Sequence, residues 1–594
     1  MEFDTSVIFV AKSFFLHILA GKIHTYGSYM PENCREKIVS EEYVDFLWKS
    51  SWNTKELEKL YPNVCIQVVN DFFAVFYVSM DFLNNSSRVE YEYDVFPSLY
   101  TIQENEALEA SNIIRIQEQS ILQLRGEGVI VGIIDTGIDY TNDCFRDQAG
   151  KTRIVEIWDQ TLQTGQTPEG IGYGTVFTRE EINQALESQD PYQVVPSRDE
   201  LEHGTQIASI AAGSRNEASG WTGAAPLSDI AVVKLKPAKS YLKQYFAVKP
   251  DAIAFQENDI MLAVRYLHEL ALRMYKPLVI CMSLGSNMGG HEGNSPLSAY
   301  LNTVGSRVGR CIVTAAGNEA NQGHHFYGML KQNESFQNVE LRVEEGEYGL
   351  MMELWGSTPD VLSISMTSPT GEEIPRISSK NGNQRFSFLF ERSVVYVDFQ
   401  PLAARSGDQL IVIRMFTPAS GIWRLQVHGT NVIIGCFNIW LPVAGFISEG
   451  TQFLNSNPDI TLTAPANSEV PITVGAYKNE NNSIYINSSR GYTRRGRIKP
   501  DIAAPGVEIS AYAPGNRMAT MTGTSASAAV TAGAAALMME WGIVRGNRPA
   551  METLEIKQLF IRGARRMAST LYPNRSWGYG MLDLYASFVA LERF

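Results

Sequence analysis

Apolar runs that alternate with helical patterns constrain the fold of this chain more than any other feature of its sequence. Four such runs stand between residues 128 and 318: GVIVGIID (128–135), IAVVKLK (230–236), PLVICMSLG (277–285) and GRCIVTAAGN (309–318). Helical patterns lie between them, the clearest at residues 258–275. Runs without polar alternation predict strands buried on both faces, and the intervening helices predict a parallel sheet covered on both sides.

A second type of pattern fills residues 327–470. Short segments of alternating apolar and polar residues follow one another there, separated by turn residues, and no strong helical pattern interrupts them. This pattern predicts an antiparallel β-sandwich, jelly-roll-like in kind. The strand–helix pattern returns over 471–594, where PITVGAY precedes an alanine-rich helix at about 523–541. We therefore predict an α/β fold with a doubly wound parallel sheet built from 101–326 and 471–594, into which the sandwich is inserted.

The N-terminal region differs from both parts. Residues 41–62 carry a helical pattern that a β-rich run follows, so 34–100 is predicted to be a small α+β unit. Residues 1–33 fit neither part and are interpreted as an N-terminal extension. They are apolar, but Glu2 and Asp4 stand where a signal peptide carries positive charge, which argues against one. No run reaches the ~18 apolar residues of a membrane helix, so no membrane span is predicted.

Charge and cysteine content disfavour two classes of function. Lys plus Arg number 50 and Asp plus Glu 64, and no basic stretch stands out against the net charge of −14, so nucleic acid is not the expected partner. None of the six cysteines belongs to a CxxC pair, which disfavours a structural zinc site. Cys281 and Cys311 lie in apolar runs and are expected to be buried. This usage suits a reducing compartment, although the sequence leaves a disulfide open.

Three short segments carry the residue types of nucleophilic catalysis. Asp135 follows an apolar strand, His203 opens a small-residue helix, and Ser525 opens another. An acid at the carboxyl end of a strand lies at the edge where α/β proteins form their clefts. A serine at a helix N-terminus lies beside unpaired amides that can stabilise an oxyanion. Each segment alone has an ordinary explanation as a turn, a helix start or an N-cap, and an aspartic protease would need a second Asp-Thr-Gly loop.

The segments gain a chemical meaning when they are combined. Ser525 would attack a carbonyl carbon, His203 would take its proton, and Asp135 would hold the imidazole and stabilise its charged form. Asn318, at the end of another apolar strand, could donate its amide to the developing oxyanion. The order Asp, His, Asn, Ser along the chain makes a coincidence of unrelated turns improbable.

On these motifs the chain resembles the subtilisin-like serine proteases, whose triad follows the order Asp, His, Ser. The resemblance covers about 110–325 and 470–594. It rests on VGIIDTGID, HGTQIASIAAG, SLG, TAAGNE, KPDIAAPGVEI, GTSASAAVTAG and the C-terminal SWGYGMLDLYAS. It implies a serine endopeptidase that needs no organic cofactor. Structural calcium, which many members bind, is assigned to no residue, and no metal ligands are predicted.

The resemblance carries over to individual positions. Asp135, His203 and Ser525 match the family's triad, and Asn318 matches its oxyanion donor. Two backbone segments match the part of the cleft that pairs with an extended peptide substrate by strand addition. Their residues are Ser283, Leu284 and Gly285 in the first segment and Ala315, Ala316 and Gly317 in the second.

Finer features resemble the germination proteases of spore-forming Clostridia, the Csp group. They are the inserted sandwich, the segment AIAFQENDIMLAVRYL, and the nucleophile's helix, where Ala526, Ser527 and Ala529 replace the Met-Ala and proline of many subtilisins. The resemblance implies a protease that activates a spore cortex hydrolase precursor and is cytoplasmic or packaged in the spore. Some members have lost triad residues, so a non-catalytic or occluded sensor or scaffold is the alternative. A general intracellular protease is a further one.

The family resemblance also implies a zymogen. Residues 34–100 would be a propeptide that assists folding, and its tail, 89–102, would lie in the active-site cleft until self-cleavage near 95–105. A permanent N-terminal domain is the alternative. The implied partners are a protein or peptide substrate and the chain's own propeptide.

Two polar clusters are predicted to lie outside the chemistry. His324 and His325 are expected in an exposed loop rather than at a metal. Arg494, Arg495 and Arg497 form a small basic loop that is expected to be solvated, with a substrate contact as the alternative.

Overall fold

The computed structural model describes residues 34–49, 65–70, 72–80, 96–102, 108–119, 121–216, 218–331, 334–377 and 383–593. The chain divides into two compact units. The first comprises the residues up to Pro97 together with Thr167–Tyr173, and the second comprises Ser98–Gln166 and Gly174 onward. The predicted N-terminal extension and most of the predicted helix at 41–62 lie outside the described residues.

The described part of the first unit is an antiparallel sheet with a short helix. Its elements are α1 (Cys34–Val39), β1 (Tyr43–Lys49), β2 (Cys65–Val68) and β3 (Phe73–Ser79). The strands pair in the order β1-β3-β2. The helical prediction is wrong for β1, which pairs with β3 along its whole length. Its Tyr, Val, Phe and Trp side chains suit a pleated, buried surface better than a helix.

A disulfide links two of the described segments of this unit. It joins Cys34 at the start of α1 to Cys65 at the start of β2, with a Cα–Cα distance of 5.5 Å. The sequence left this bond open because the two cysteines are 31 residues apart and share no local motif. Cys144, Cys281 and Cys311 are free and buried, which confirms the expectation for the two cysteines in apolar runs.

The second unit contains strands in three groups. Before the sandwich they are β4 (Leu99–Ile102), β5 (Ile130–Asp135), β6 (Ile154–Asp159), β7 (Thr175–Thr178), β8 (Asp229–Lys234), β9 (Phe255–Gln256), β10 (Leu278–Met282), β11 (Leu284–Gly285) and β12 (Arg310–Ala315). In the sandwich they are β13 (His325–Met329), β14 (Phe336–Val343), β15 (Gly349–Gly356), β16 (Val361–Thr367), β17 (Glu373–Ile377), β18 (Gln384–Ser387), β19 (Val394–Gln400), β20 (Gln409–Phe416), β21 (Gly421–Asn431), β22 (Cys436–Trp440) and β23 (Gln452–Phe453). After it they are β24 (Ile472–Lys478), β25 (Ser483–Ile484), β26 (Ile502–Pro505), β27 (Ile509–Ala513) and β28 (Arg517–Met521).

Most helices of this unit lie between strands of the first group, and the last three follow β28. They are α2 (Ile113–Glu118), α3 (Arg179–Glu187), α4 (Pro191–Val194), α5 (His203–Ala212), α6 (Ser240–Tyr245), α7 (Glu257–Arg273), α8 (Pro296–Gly305), α9 (Thr524–Met539), α10 (Thr553–Gly563) and α11 (Leu584–Val589).

A largely parallel sheet forms the centre of the second unit. Its strands follow the order β25-β24-β12-β10-β5-β8-β6-β7, and β26 pairs with β24. Pairing from β24 to β6 is parallel, whereas β25 and β7 are antiparallel edges. The predicted doubly wound parallel sheet is confirmed, with antiparallel edge strands that the sequence pattern did not indicate.

Helices cover both faces of this sheet. Val131 and Ile133 of β5 share an apolar core with residues of α5 and α9. Gly132 points to the opposite face, where an added Cβ would meet Leu267 of α7 at 2.8 Å. Because successive side chains of a strand alternate between faces, a strand covered on both sides is apolar throughout.

The insertion between β12 and β24 consists of two antiparallel sheets. One has the strand order β13-β22-β15-β20-β19-β18 and the other β17-β16-β21-β14-β23. Side chains of both sheets, among them Leu354 and Trp423, meet in one core. The two ends of the insertion are adjacent, since the N–H of Phe453 donates to the carbonyl of Gly323 at 2.9 Å.

Aromatic rings stack where the sandwich meets the rest of the unit. Trp440 of β22 stacks with His291 and His325, at centroid distances of 4.0 and 4.9 Å. Burial lowers the pKa of His291 to about 3 and that of His325 to about 4. The exposed loop predicted for the His324–His325 pair is wrong, because both side chains are buried and His325 belongs to β13 of the sandwich. His324 contacts Glu319 through Nδ1 at 2.6 Å.

The sandwich also covers part of the basic loop. The Arg494 side chain is 5% exposed and forms ion pairs with Asp408, at 2.8 Å, and with Glu292. Its guanidinium lies over the ring of Trp355. The prediction of a solvated loop is therefore wrong for Arg494, because its acidic and aromatic partners come from segments far away in the sequence. Arg495 remains half exposed and pairs with the same Asp408.

Among the described residues, one helical stretch, Thr524–Val544, has the length and hydropathy that crossing a membrane requires. The protein buries 83% of its most apolar window. A core helix meets the same criteria, so this stretch is weak evidence for a membrane span.

Candidate active site

The parallel sheet brings Asp135 to the first turn of α5. Asp135 ends β5 at the carboxyl edge of the sheet, and His203 is the first residue of α5. The Nδ1 atom of His203 lies 2.7 Å from Oδ1 of Asp135, and both side chains are buried. The N–H of Thr136 donates to the same oxygen at 2.8 Å. This contact can fix the imidazole in the tautomer whose Nε2 is able to act as a base.

Two glycines permit this close approach. An added Cβ on Gly204 would lie 2.2 Å from the carbonyl oxygen of Gly137. Gly137 has a φ of +127°, a conformation that L side chains rarely adopt. A side chain at either position would push the turn after β5 away from the start of α5. The glycines of the Asp-Thr-Gly and His-Gly-Thr motifs therefore have a packing role.

Ser525 lies in the first turn of α9, on the same end of the sheet. The helix begins at Thr524, and its N-cap residue, Gly523, has a φ of +151°. The Ser525 side chain is fully buried, and its Oγ lies 3.5 Å from the carbonyl oxygen of Ser283. Ser525 thus lies at a helix N-terminus, where backbone N–H groups can donate to a developing oxyanion.

Asn318 is held by the residue that precedes Ser525. Its Oδ1 accepts from the N–H (3.1 Å) and the hydroxyl (3.2 Å) of Thr524. The same hydroxyl accepts from the N–H of Gly317 at 3.1 Å. Because the amide oxygen is occupied, the Nδ2 group is the end of Asn318 that is left to donate. The contacts of Thr524 with Asn318 could not be predicted from the sequence, because the two residues are 206 positions apart.

A short antiparallel sheet lies beside these residues. Its strand order is β11-β4-β9, with Leu284 opposite Ile102 and Gly285 opposite Thr101. On its other side β4 pairs with Phe255–Gln256 of β9. The predicted substrate-binding segment thus pairs with the chain's own residues. The described end of the predicted tail, 96–102, includes this strand, while residues 89–95 and 103–105 lie outside the described residues.

Strand β9, the second neighbour of β4, was not predicted from the sequence. Its two residues carry no strand pattern of their own, and they directly precede the long helix α7. Only the pairing with β4 reveals them. An extended segment held between two antiparallel neighbours is how a peptide is bound by strand addition.

The second predicted substrate segment is enclosed in backbone contacts. Ala315 ends β12, and the N–H of Ala316 donates to the carbonyl of Val474 at 3.0 Å. The carbonyl of Ala316 accepts from the N–H of Thr463 at 3.1 Å. The carbonyl of Gly317 accepts from the N–H of Ser489 at 2.7 Å. In these contacts the segment positions the residue that follows it, Asn318.

The part of the chain that the structure describes has no cluster of three or more His, Cys, Asp or Glu side chains arranged to hold a metal ion.

Comparison with known proteins gives a family match over most of the chain. The family model described as "Subtilase family" matches residues 126–388 and 447–580. The gap between the two matched ranges falls within the inserted sandwich. Asp135, His203, Asn318 and Ser525 all lie inside the matched ranges.

Individual proteins are similar over different lengths. The structure of the Clostridium perfringens CspB protease matches with a TM-score of 0.73 and 33% identity, over 82% of this chain and 97% of that one. A C5a peptidase of Streptococcus pyogenes is 23% identical over 447 residues, which are 70% of this chain and 34% of that protein. The serine protease AprX of Bacillus subtilis is 36% identical over 130 residues, 18% of this chain. The chain thus spans about a third of the length of the C5a peptidase it matches.

Proposed function

Because the chain belongs to the subtilase family of serine proteases, we propose that it is an endopeptidase that hydrolyses peptide bonds through an acyl-enzyme on Ser525. The contact between His203 Nδ1 and Asp135 Oδ1, at 2.7 Å, supports this proposal. The carboxylate sets the tautomer in which Nε2 can take the Ser525 proton, and it stabilises the imidazolium that results. The Asn318 amide and the start of α9 then donate to the oxyanion. The step needs only groups of the chain, so we propose no organic cofactor and no catalytic metal.

We further propose that the chain is made as a self-processing zymogen. The observation that carries this proposal is the pairing of β4 with both β11 and β9, because it fills the groove that an extended substrate would use. The register also indicates a cleavage site. Leu284 pairs with Ile102, the last described residue before Gln103, and the carbonyl of Ser283, next to Leu284, lies 3.5 Å from Ser525 Oγ. We expect cleavage of the bond that follows Gln103.

Intact-mass measurement of the purified wild type and of Ser525→Ala tests both parts of this proposal. The wild type is expected to give two polypeptides, the larger beginning at Glu104, whereas Ser525→Ala is expected to keep its full length. Ser306→Ala, which changes an exposed serine at the end of α8, is the matched control and is expected to process like the wild type.

The other outcomes of the same measurement are informative. A wild type that stays whole would favour an occluded sensor or scaffold, in which the N-terminal segment remains in the groove permanently. Cleavage that persists in Ser525→Ala would assign the cut to another protease. A cut several residues from Gln103 would contradict the register argument and leave the triad intact.

For the natural substrate we propose the precursor of a spore cortex hydrolase, cut during germination. The similarity to the Csp group supports this proposal, and the structural match covers 97% of the CspB protease chain. On this proposal the protein is made in the cytoplasm and packaged in the spore. A general intracellular protease is the competing function, and the two differ in the breadth of cleavage.

Incubation of the processed enzyme with two proteins distinguishes these functions. The purified cortex hydrolase precursor is expected to be cut at one site, and unfolded casein is expected to be cut much more slowly at equal concentration. Ser525→Ala at the same concentration controls for contaminating proteases. Casein degraded as fast as the precursor would contradict the germination role and favour the general protease.

A further inference from the structure

A buried carboxylate outside the recognised motifs lies beside the Asp135–His203 pair. Asp199 precedes His203 by four residues and is 7% exposed. Its Oδ1 accepts from the hydroxyl of Thr136 at 2.7 Å. Its Oδ2 accepts from both the N–H (2.8 Å) and the hydroxyl (2.7 Å) of Thr205. One side chain therefore joins the turn after β5 to the first turn of α5.

The two threonines extend this connection. The Oγ1 of Thr136 also accepts from the N–H of Gly204 at 3.0 Å. The Oγ1 of Thr205 accepts from the N–H of Asp139 at 2.9 Å. Each hydroxyl thus donates a hydrogen bond to Asp199 and accepts one from a backbone N–H of the opposite element. The bonds hold together the residues that directly follow the acid and the imidazole of the pair.

Helix capping alone does not account for this arrangement. The N-cap residue of α5 is Glu202, whose side chain makes no capping bond. Asp199 reaches α5 from the loop before it and also bonds Thr136 on a second element, which a cap does not require. Burial raises the pKa of Asp199, and its hydrogen bonds to the two threonines act in the opposite direction. A buried carboxylate is costly unless it is hydrogen-bonded, and these three donors meet that condition.

We propose that Asp199 is a positioning residue for the reaction, which fixes the separation of Asp135 and His203 by binding the residues next to each. The inference rests on the proposed function, because it assigns a role within the same triad. The geometry gives a reason for the threonine in each motif. The third residue of His-Gly-Thr and the second residue of Asp-Thr-Gly both donate a hydrogen bond to Asp199. Misplacement of a catalytic group by about 1 Å can cost on the order of 100-fold in rate.

Asp199 also contributes negative charge near the imidazole. The other charged groups around this cluster are Asp135, Asp139, Lys234, whose Nζ donates to the carbonyl of Arg198 and pairs with Glu200 at 2.7 Å, and at the surface the Glu202–Arg517 pair. A nearby negative charge favours the protonated form of a histidine. Removing the Asp199 charge while keeping the others should therefore move the acidic limb of the pH–rate profile to lower pH. A role in overall stability alone would not move that limb.

The variant that tests the proposal is Asp199→Asn, measured on the self-processed enzyme. The substrate is a fluorogenic peptide with the sequence of residues 99–106, and working sites are counted with a fluorophosphonate. An asparagine amide would turn N–H groups toward the Thr205 donors, so we expect kcat about 10- to 100-fold lower, with KM within about twofold. The acidic limb of kcat/KM should shift to lower pH. Asp251→Asn, which neutralises an exposed carboxylate outside the site, is the control and should change neither quantity.

Thr136→Val separates position from charge. It removes one hydroxyl bond to Asp199 and the acceptor for Gly204, but it leaves the carboxylate in place. We expect a lower kcat without a shift of the acidic limb, and this variant also carries the test if Asp199→Asn does not fold. If Asp199→Asn kept the wild-type kcat per working site and the acidic limb did not move, this inference would be overturned and the proposed function would stand. A wild type that neither reacts with the fluorophosphonate nor cleaves the peptide would overturn the proposed function, and this inference with it.

Discussion

Asp135→Asn is expected to lower kcat about 10⁴-fold while leaving KM and the folded structure nearly unchanged. The Asp135 carboxylate accepts from the N–H of Thr136 and contacts His203 Nδ1 at 2.7 Å. An asparagine amide would present either an oxygen or an N–H₂ group to Nδ1. The N–H₂ group selects the tautomer whose proton sits on Nε2, and such an imidazole cannot take the Ser525 proton. Neither amide orientation supplies a negative charge for the imidazolium.

Steady-state kinetics over pH 6–10 with the residue 99–106 peptide checks this expectation, after working sites have been counted. Asp251→Asn, which changes an exposed aspartate outside the site, is the control and should keep wild-type kinetics. A loss of less than about tenfold for Asp135→Asn would contradict the assignment of this residue to the triad. A large rise in KM at constant kcat would instead place its effect on substrate binding.

Mild acid is expected to destabilise the folded protein strongly. Burial, together with the nearby Arg310 and Arg307 guanidiniums, lowers the pKa of His268 to about 4, and burial lowers the pKa of His291 and His325 to about 3 and 4. A histidine whose pKa is lower in the folded state binds fewer protons there than in the unfolded chain. Its contribution to stability is therefore complete above about pH 6.5 and falls as the pH drops toward 4. From pH 7.5 to 5 each group should cost about 2 kcal/mol of unfolding free energy.

Urea unfolding of the Ser525→Ala protein at pH 7.5, 6 and 5 measures this loss without self-digestion. His291→Phe in the same background keeps a flat ring against Trp440 and removes one titrating group. It should be less stable than its parent at pH 7.5, since it loses the contact between His291 Nε2 and the carbonyl of Asn287. The loss of stability between pH 6 and pH 5 should be smaller by about 1.2 kcal/mol. An unchanged slope would show that His291 is not a neutral buried group.

Local patterns were sufficient for the central sheet and for the motif residues at its carboxyl edge. Continuous apolar runs correspond to β5, β8, β10 and β12, because these strands are covered on both faces. The contact of Asp135 with His203 follows from parallel strands that end at one edge, together with a helix that begins beside them. The glycines of both motifs could be read from the sequence, whereas the close approach that they permit could not.

Residues whose environment comes from distant segments could not be placed from the sequence. Arg494 is buried by Asp408 and Trp355 of the sandwich, and His325 by a strand pairing across more than a hundred residues. Strand β1 was misread because a seven-residue run with apolar and polar residues fits both periods. Asp199 has no motif of its own, and only its bonds to two separate elements distinguish it from surface acids.

The adjacency of Gly323 and Phe453 has a consequence for how the chain folds. Strands β12 and β24 are parallel neighbours in the central sheet, yet the whole insertion separates them in the sequence. If the sandwich folds first, its adjoining ends shorten the flexible connection from roughly 160 residues to roughly 30, which lowers the entropic cost of closing that loop by about 1.5 kcal/mol. The folded insertion then keeps the ends of β12 and β24 close together during folding, so that the sandwich forms first and the central sheet forms second. Helix α9, which carries Ser525 and packs on that sheet, would then be positioned late in folding.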